Sequence, residues 1–399
     1  MNIKSNRNIQ KIVVLSVSLL RHSGEILAPV LASISLEYAG VPEVWIQTLL
    51  NATMLALVPS LLLAAPLVKA TSLKTATQIA IGLTIFGGLI PLFTSSFAIL
   101  FASRLVVGVG VGLMNPVSAS LITENYTGSE KEQLIGGRTA VASIGTVILS
   151  LLGAYLTKFG WRYISFTYLL GIPVMLLIAI FLPNTTANQE VSCEAAKKPK
   201  KSFSLRSLNG ALLCITVSIF LFTVIINVYP TNISLMMSQE VLGTAAVASV
   251  LVAAYKFSSF MSGILFSFIL KLFGRWSMAV GIGVSAAGLL MLAMSSNIVI
   301  IFIGTVLCGF ALGWVLALGI LEGSEVSGKM GDTAAISLVT AGMNLGSFFS
   351  PLVMTPLFQK LLGTESRNSF ILGSLLMFGL TAAVIVIYAS KKQKKTAEA

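Results

Sequence analysis

Twelve apolar runs, each long enough to cross a lipid bilayer, recur along this chain and restrict what it can fold into. They lie at about 12–36, 45–69, 75–95, 97–122, 134–158 and 162–183, then at about 209–236, 245–271, 276–296, 298–322, 332–358 and 367–389. A helix needs roughly 20 apolar residues to span a bilayer, and each run supplies about that many. In hydrocarbon every backbone N–H and C=O must find a partner within the protein, which leaves helices or closed barrels. Barrel strands alternate over about ten residues; these runs do not, so they predict helices. Of 399 residues, 56% are hydrophobic and 10% charged, against roughly 25% charged in a soluble domain. The predicted class is therefore all-α and polytopic, with lipid as the solvent for most side chains. The first run is too long for a signal peptide and has no small-residue cleavage site, so it is expected to stay in the mature protein.

The net charge of +12 is a topology signal. With the N-terminus inside, the inner segments hold 19 Lys and Arg, among them Lys11, Lys69, Lys74, Lys131, Arg138 and the cluster at 197–206. The outer loops hold four, Lys158, Arg162, Lys360 and Arg367. Lys and Arg concentrate on the cytoplasmic side of membrane proteins, so both termini are expected in the cytoplasm of a cell (plasma) membrane protein. The basic balance then implies no nucleic-acid partner. The three cysteines, Cys193, Cys214 and Cys308, have no metal-ligand spacing, and the chain has one histidine; no metal and no cofactor are expected.

The two halves repeat at a nearly constant offset. Gly108, Gly112 and Gly145 correspond to Gly309, Gly313 and Gly346 at 201, and Lys69 corresponds to Lys271 at 202. The expected organisation is an N-terminal six-helix bundle at 1–183, a cytoplasmic linker at 184–206 and a C-terminal six-helix bundle at 207–399. Parallel repeats of this kind place a substrate site near mid-membrane between the halves.

The fourth run carries Leu100, Arg104, Val107-Gly108, Gly110 and Gly112. Phe159-Gly160-Trp161-Arg162 precedes the sixth and Leu182-Pro183-Asn184-Thr185 follows it. On these residues the chain resembles the major facilitator superfamily over essentially its whole length, as a bacterial-type permease of 12 transmembrane helices in two pseudo-symmetric bundles. It departs from the family pattern twice. Lys69 and Lys271 stand where the loop signature has Asp, and Leu149-Ser150 stands where the fifth helix of drug–proton antiporters has Gly-Pro. The resemblance implies that Arg104 assists proton coupling.

Arg21, Arg104 and Lys256 fall inside predicted spans, with Glu25 the one acid equally deep. A charge at the bilayer centre costs roughly 3 kcal/mol on insertion scales, so it must face a partner or a watery cavity. Arg21 and Glu25 are four residues apart on one helix face, His22 is adjacent, and Pro29 interrupts the same helix. Glu25, Arg104 and His22 are the proton-coupling candidates. Arg21, Lys256, Asn115, Asn227 and Asn344 are the cavity candidates. Each also admits a purely structural role, as an intrahelical pair, a snorkelling cation or interhelical glue. Gly108, Gly110 and Gly112 are read as helix-packing positions.

The segment from Gly323 to Lys329 spells GxxxxGK, but Met330 follows where a phosphate loop has Ser or Thr, and an apolar helix precedes it where such a loop needs a strand. Absent nucleophile motifs argue against an enzyme. The expected function is secondary active transport by alternating access, as proton-coupled efflux of drug-like or metabolic compounds. The alternative is uptake or exchange of a small organic anion, with Arg21 and Lys256 as clamps. Expected partners are a small-molecule substrate, protons and the lipid bilayer, with the chain working as a monomer.

Overall fold

A computed structural model describes residues 7–21, 23–182, 210–326 and 332–397. His22 and the linker expected at 184–206 lie outside the described residues, as do the side chains of Glu25, Glu124 and Lys131. Apart from short turns and connections the described residues are helical, with no strand among them.

The first span is broken. α1 (Arg7–Ser16) passes into three 3-10 turns, Val17–Leu20, Ser23–Glu25 and Ala28–Val30, before α2 (Leu31–Glu37). Pro29 opens the last of these turns; it lacks an N–H, and its ring would collide with the carbonyl four residues back in a regular helix. The second to sixth spans are α3 (Glu43–Ala70), α4 (Leu73–Leu89), α5 (Phe97–Asn125), α6 (Gly128–Leu156) and a 3-10 stretch, Trp161–Leu170, that continues into α7 (Gly171–Phe181). In the second half, α8 (Gly210–Ile226) and α9 (Val228–Gln239) form one span, and α10 (Ala245–Ile264) with α11 (Phe266–Phe273) the next. α12 (Ser277–Met294), α13 (Ile298–Glu325), α14 (Asp332–Leu362) and α15 (Ser366–Ala397) complete the set. Ten stretches among the described residues are long and apolar enough to cross a membrane, and the first and fifth spans comprise shorter apolar pieces at 9–20, 28–37 and 144–159.

Two compact units result, Met1–Gly40 with Leu49–Lys200, and Val41–Thr48 with Lys201–Ala399. Within the bundle expected at 1–183, residues 41–48 group with the second unit. In the first unit, Val17, Leu20, Ala80, Ile81, Leu113 and Met114 build one buried cluster. In the second, Ile219, Ile282, Leu289, Cys308, Phe358 and Phe370 are fully buried. On the outward faces large apolar side chains stand exposed, Leu63, Phe86, Leu176, Phe268 and Val386 among them. In water such a surface would drive association; in lipid it costs nothing.

The glycines of the repeat explain why the helix pairs approach so closely. A Cβ on Gly108 would collide with the Thr53 carbonyl of α3, and one on Gly112 would lie 2.7 Å from the Leu57 carbonyl. In the second unit a Cβ on Gly309 would collide with the Tyr255 carbonyl, and one on Gly313 with the Ser259 carbonyl. Both crossings thus set helix backbone against helix backbone at equivalent places. Gly110 faces the other neighbour, where a Cβ would meet Thr84 and, at 2.7 Å, the Ala80 carbonyl.

A second repeated device ties helix ends together within each unit. Arg162 pairs with Glu37 and donates to the carbonyls of Pro91 (3.1 Å) and Thr94, while the Trp161 indole donates to Glu37 at 2.6 Å. Arg367 pairs with Glu240 and donates to the carbonyls of Ala293 (3.1 Å) and Ser295 (3.0 Å). In each half an arginine at the start of the sixth helix therefore joins an acid ending the first helix to the open carbonyls ending the third. Those carbonyls have no intrahelical donor, and a guanidinium offers five N–H groups in a fixed fork.

Candidate functional site

Arg104 sits two turns into α5 and is fully buried. Its Nη1 donates to the Tyr168 hydroxyl at 3.0 Å, its Nη2 to the Gly87 carbonyl at 3.3 Å and its Nε to Ser103 Oγ at 3.4 Å. Tyr168 in turn donates to the Ser23 carbonyl at 2.7 Å. That carbonyl belongs to the broken part of the first span, where the missing helical ladder frees backbone acceptors. The guanidinium thus ties the first, third, fourth and sixth spans together, and Tyr168, Gly87 and Ser103 meet it as neutral acceptors. A Cβ on Gly88 would collide with the Tyr168 ring, so this glycine lets the ring reach the arginine. The position 201 residues after Arg104 is Thr305, which accepts from the Tyr229 hydroxyl at 3.1 Å; the second unit keeps the tyrosine contact without the charge.

The charge census needs a correction at Arg138. It was counted with the inner segments, yet it lies ten residues beyond the start of α6, roughly 15 Å along the helix. Its Nη2 donates to both the backbone carbonyl (3.0 Å) and the side-chain Oδ1 (3.4 Å) of Asn115. Arg21, half-buried at the end of the Val17–Leu20 turn, acts on Arg138 through its charge. The first span packs along this face of α6: a Cβ on Gly137 would touch the Leu15 side chain at 3.6 Å, and two turns further on one on Gly145 would collide with the Leu19 carbonyl. Arg21, Arg138 and Asn115 therefore form one basic cluster within the first unit. Sequence reasoning named Arg21 and Asn115 and missed Arg138, because the polar run at its N-terminal side reads as a loop. Tyr168 was missed too; an aromatic in an apolar run carries no signal of its hydroxyl's partner.

In the second unit, Lys256 is half-buried, its ammonium 5.5 Å from the centroid of the Tyr255 ring, and that ring stacks on Tyr229 at 4.5 Å. Asn227 donates to the Thr223 carbonyl at 2.8 Å and to Ser347 Oγ at 3.0 Å, bridging two helices. Asn344 donates to the Thr340 carbonyl of its own helix at 3.0 Å. The second unit also holds a buried polar cluster that sequence reasoning missed. Gln47 donates to Glu43 (2.9 Å) and to Asn232 (3.0 Å) and accepts from Thr355, while Gln359 donates to Glu43 at 2.8 Å.

A multi-pass helical membrane protein built of two six-helix repeats, with basic and amide side chains buried inside the spans, defines a solute transporter by class. The family model "Major Facilitator Superfamily" matches residues 13–244, and the chain belongs to that superfamily of transporters. Among curated relatives, the MFS-type transporter Rv1250 of Mycobacterium tuberculosis is 29% identical over 156 residues, 39% of this chain and 26% of that one. The vesicular acetylcholine transporter of Torpedo marmorata is 32% identical over 117 residues, 27% of this chain and 23% of that one. These matches span about a quarter of each relative's length. Among solved structures, the nucleoside transporter NupG superposes with a TM-score of 0.76 at 13% identity, covering 97% of this chain and 99% of that one. The D-xylose-proton symporter superposes at 0.70 with 15% identity, covering 93% and 96%. These two likenesses show the shared fold.

Proposed function

We propose that this chain is a secondary active transporter that moves a small solute across the cell membrane by alternating access, coupled to protons, as a monomer with both termini in the cytoplasm. The observation that carries the reading is the repeated build of the two units: the Gly108 and Gly112 crossing in the first and the Gly309 and Gly313 crossing in the second set helix backbone against helix backbone at equivalent places, as expected of the paired repeats that alternating access uses. One structural likeness is a D-xylose-proton symporter, which supports the coupling.

Glu25 carries the proton in this reading. It stands in the 3-10 turn Ser23–Glu25, one helical step from Arg21 in sequence and two residues from the carbonyl that Tyr168 engages. Desolvation favours a neutral carboxyl and a nearby cation favours the charged one, so changes in hydration can load and unload it. In proteoliposomes, Glu25→Gln is expected to abolish uphill accumulation driven by a pH gradient while leaving solute counterflow measurable. Accumulation at the parent level would remove Glu25 from the role and pass it to His22, whose reference pKa lies near 6.5. The same vesicles read the direction of transport.

The ion pair of Lys11 with Glu130 at 2.9 Å joins two residues assigned to the inner side. The Arg162 and Arg367 clamps gather residues assigned to the outer side. Both support the topology. A cysteine placed at Ser202 is expected to resist a membrane-impermeant maleimide in intact cells and to label after permeabilisation. Labelling of intact cells at the permeabilised rate overturns the assignment of 184–206 to the cytoplasm.

A further inference from the structure

We propose that Arg21, Arg138 and Asn115 form a binding site for the carboxylate or phosphoryl head of a small organic anion, which is the transported substrate. The inference rests on the transporter reading above and names its substrate class. Three observations carry it. First, Arg21 and Arg138 carry like charges on two spans that pack together, a Cβ on Gly137 of α6 touching the Leu15 side chain at 3.6 Å and one on Gly145 colliding with the Leu19 carbonyl, and the Arg21 charge acts on Arg138. Like charges brought together away from water repel, and each has given up hydration. A purely structural contact would be met at lower cost by apolar or amide side chains. Second, the Arg138 Nε is buried and has no hydrogen-bond partner among the described residues. An unpaired buried donor is costly, and Nε with Nη2 is the edge by which arginine grips a planar anion through two parallel bonds. Third, Asn115 holds the Arg138 Nη2 through two acceptors, which fixes the fork in one orientation before an anion arrives.

The nearby acids do not cancel this charge. Glu25, one turn on from Arg21, offers one carboxylate against two cations and leaves the site positive. Glu124 is nine residues from Asn115 along α5, roughly 13 Å toward the helix end. The second unit's candidate, Lys256, lies against the Tyr255 ring and is not needed for this contact. The site therefore differs from the clamp expected from sequence, which drew one cation from each half.

The test reads binding without any gradient, so a failure of proton coupling leaves its result standing. The purified chain, in nanodiscs of zwitterionic phosphatidylcholine, is unfolded by heat in the presence of benzoate, succinate or phenyl phosphate, with uridine and D-xylose as neutral controls. At least one anion is expected to raise the midpoint by several degrees, and both neutral solutes are expected to leave it unchanged. Arg138→Gln should erase the anion's shift, and Arg138→Lys should retain part of it, since the charge remains and the fork is lost. If Arg138→Gln fails to fold, Arg138→Lys and the comparison of anions with neutral solutes decide. The proposal is overturned if no anion shifts the midpoint, if the neutral solutes shift it as much, or if Arg138→Gln keeps the full effect. Nanodiscs containing phosphatidylglycerol separate a soluble ligand from a lipid headgroup. Loss of the anion's effect there would assign the cluster to lipid and overturn the substrate reading.

Discussion

Alanine at Gly108 or at Gly309 is expected to destabilise its own unit and to abolish transport, with closely similar losses at the two positions. The added Cβ meets the backbone carbonyl of Thr53 in one case and of Tyr255 in the other. A carbonyl in a packed helix cannot rotate aside as a side-chain end can, so the two helices must separate. Overpacking of this kind costs about 3 kcal/mol when no neighbour can yield, and the gain in helix propensity from Gly to Ala returns about 1 kcal/mol. The net loss is about 2 kcal/mol, read as a lowered midpoint in thermal unfolding of detergent-purified protein. Gly82→Ala is the control, because nothing lies within 4 Å of a Cβ built there; that variant should be as stable as the parent or slightly more so. Parent-like midpoints for both Gly108→Ala and Gly309→Ala would mean that the close crossings are not what these glycines provide.

Arg367→Ala should loosen the second unit at the helix ends it joins by about 2–3 kcal/mol, the scale of losing hydrogen bonds to a charged group and leaving their partners unpaired. The substitution removes a two-pronged contact with Glu240 together with the donors to Ala293 and Ser295, so three helix ends lose their common tie. Arg367→Lys should restore only a fraction, since one ammonium cannot hold the carboxylate with a fork and reach two carbonyls as well. Thermal unfolding of the single variants and of the Arg367→Ala, Glu240→Gln pair measures the coupling directly. Arg162→Ala should behave alike in the first unit, where the Trp161 indole still holds Glu37 and softens the loss. Equal midpoints for Arg367→Ala and the parent would reduce the clamp to a surface contact of the kind that contributes little.

How much of the site could be read in advance differs by residue. Arg21 and Arg104 are legible because a cation within an apolar run is costly wherever it points. Arg138 is not, since it stands only four residues into the fifth run, directly after the polar stretch 128–133, and so reads as part of that run's inner end. Arg104 shows the opposite limit. Its depth was evident, but its partners, Tyr168, Gly87 and Ser23, are a hydroxyl and two carbonyls that no pattern marks. The Glu43–Gln47 cluster was hidden for a similar reason. Amides and hydroxyls cost little in a span, so Gln47, Asn232 and Thr355 do not stand out until they meet.

The number of spans, the class of fold and the two-fold repeat follow from the order of residues alone. Hydrocarbon forces each apolar run to satisfy its own backbone, and that makes the secondary structure a local matter. That order also determined which glycines matter, because equal spacing in the two halves marks equal crossings. Only the tertiary structure decided which polar groups face each other, that the end of α3 groups with the second unit and that Arg138 joins Arg21 and Asn115. Those pairings depend on how helices rotate about their axes and which neighbours they take, and a composition of leucine, valine and alanine leaves that rotation open. Close packing of glycine faces and a few buried hydrogen bonds choose it.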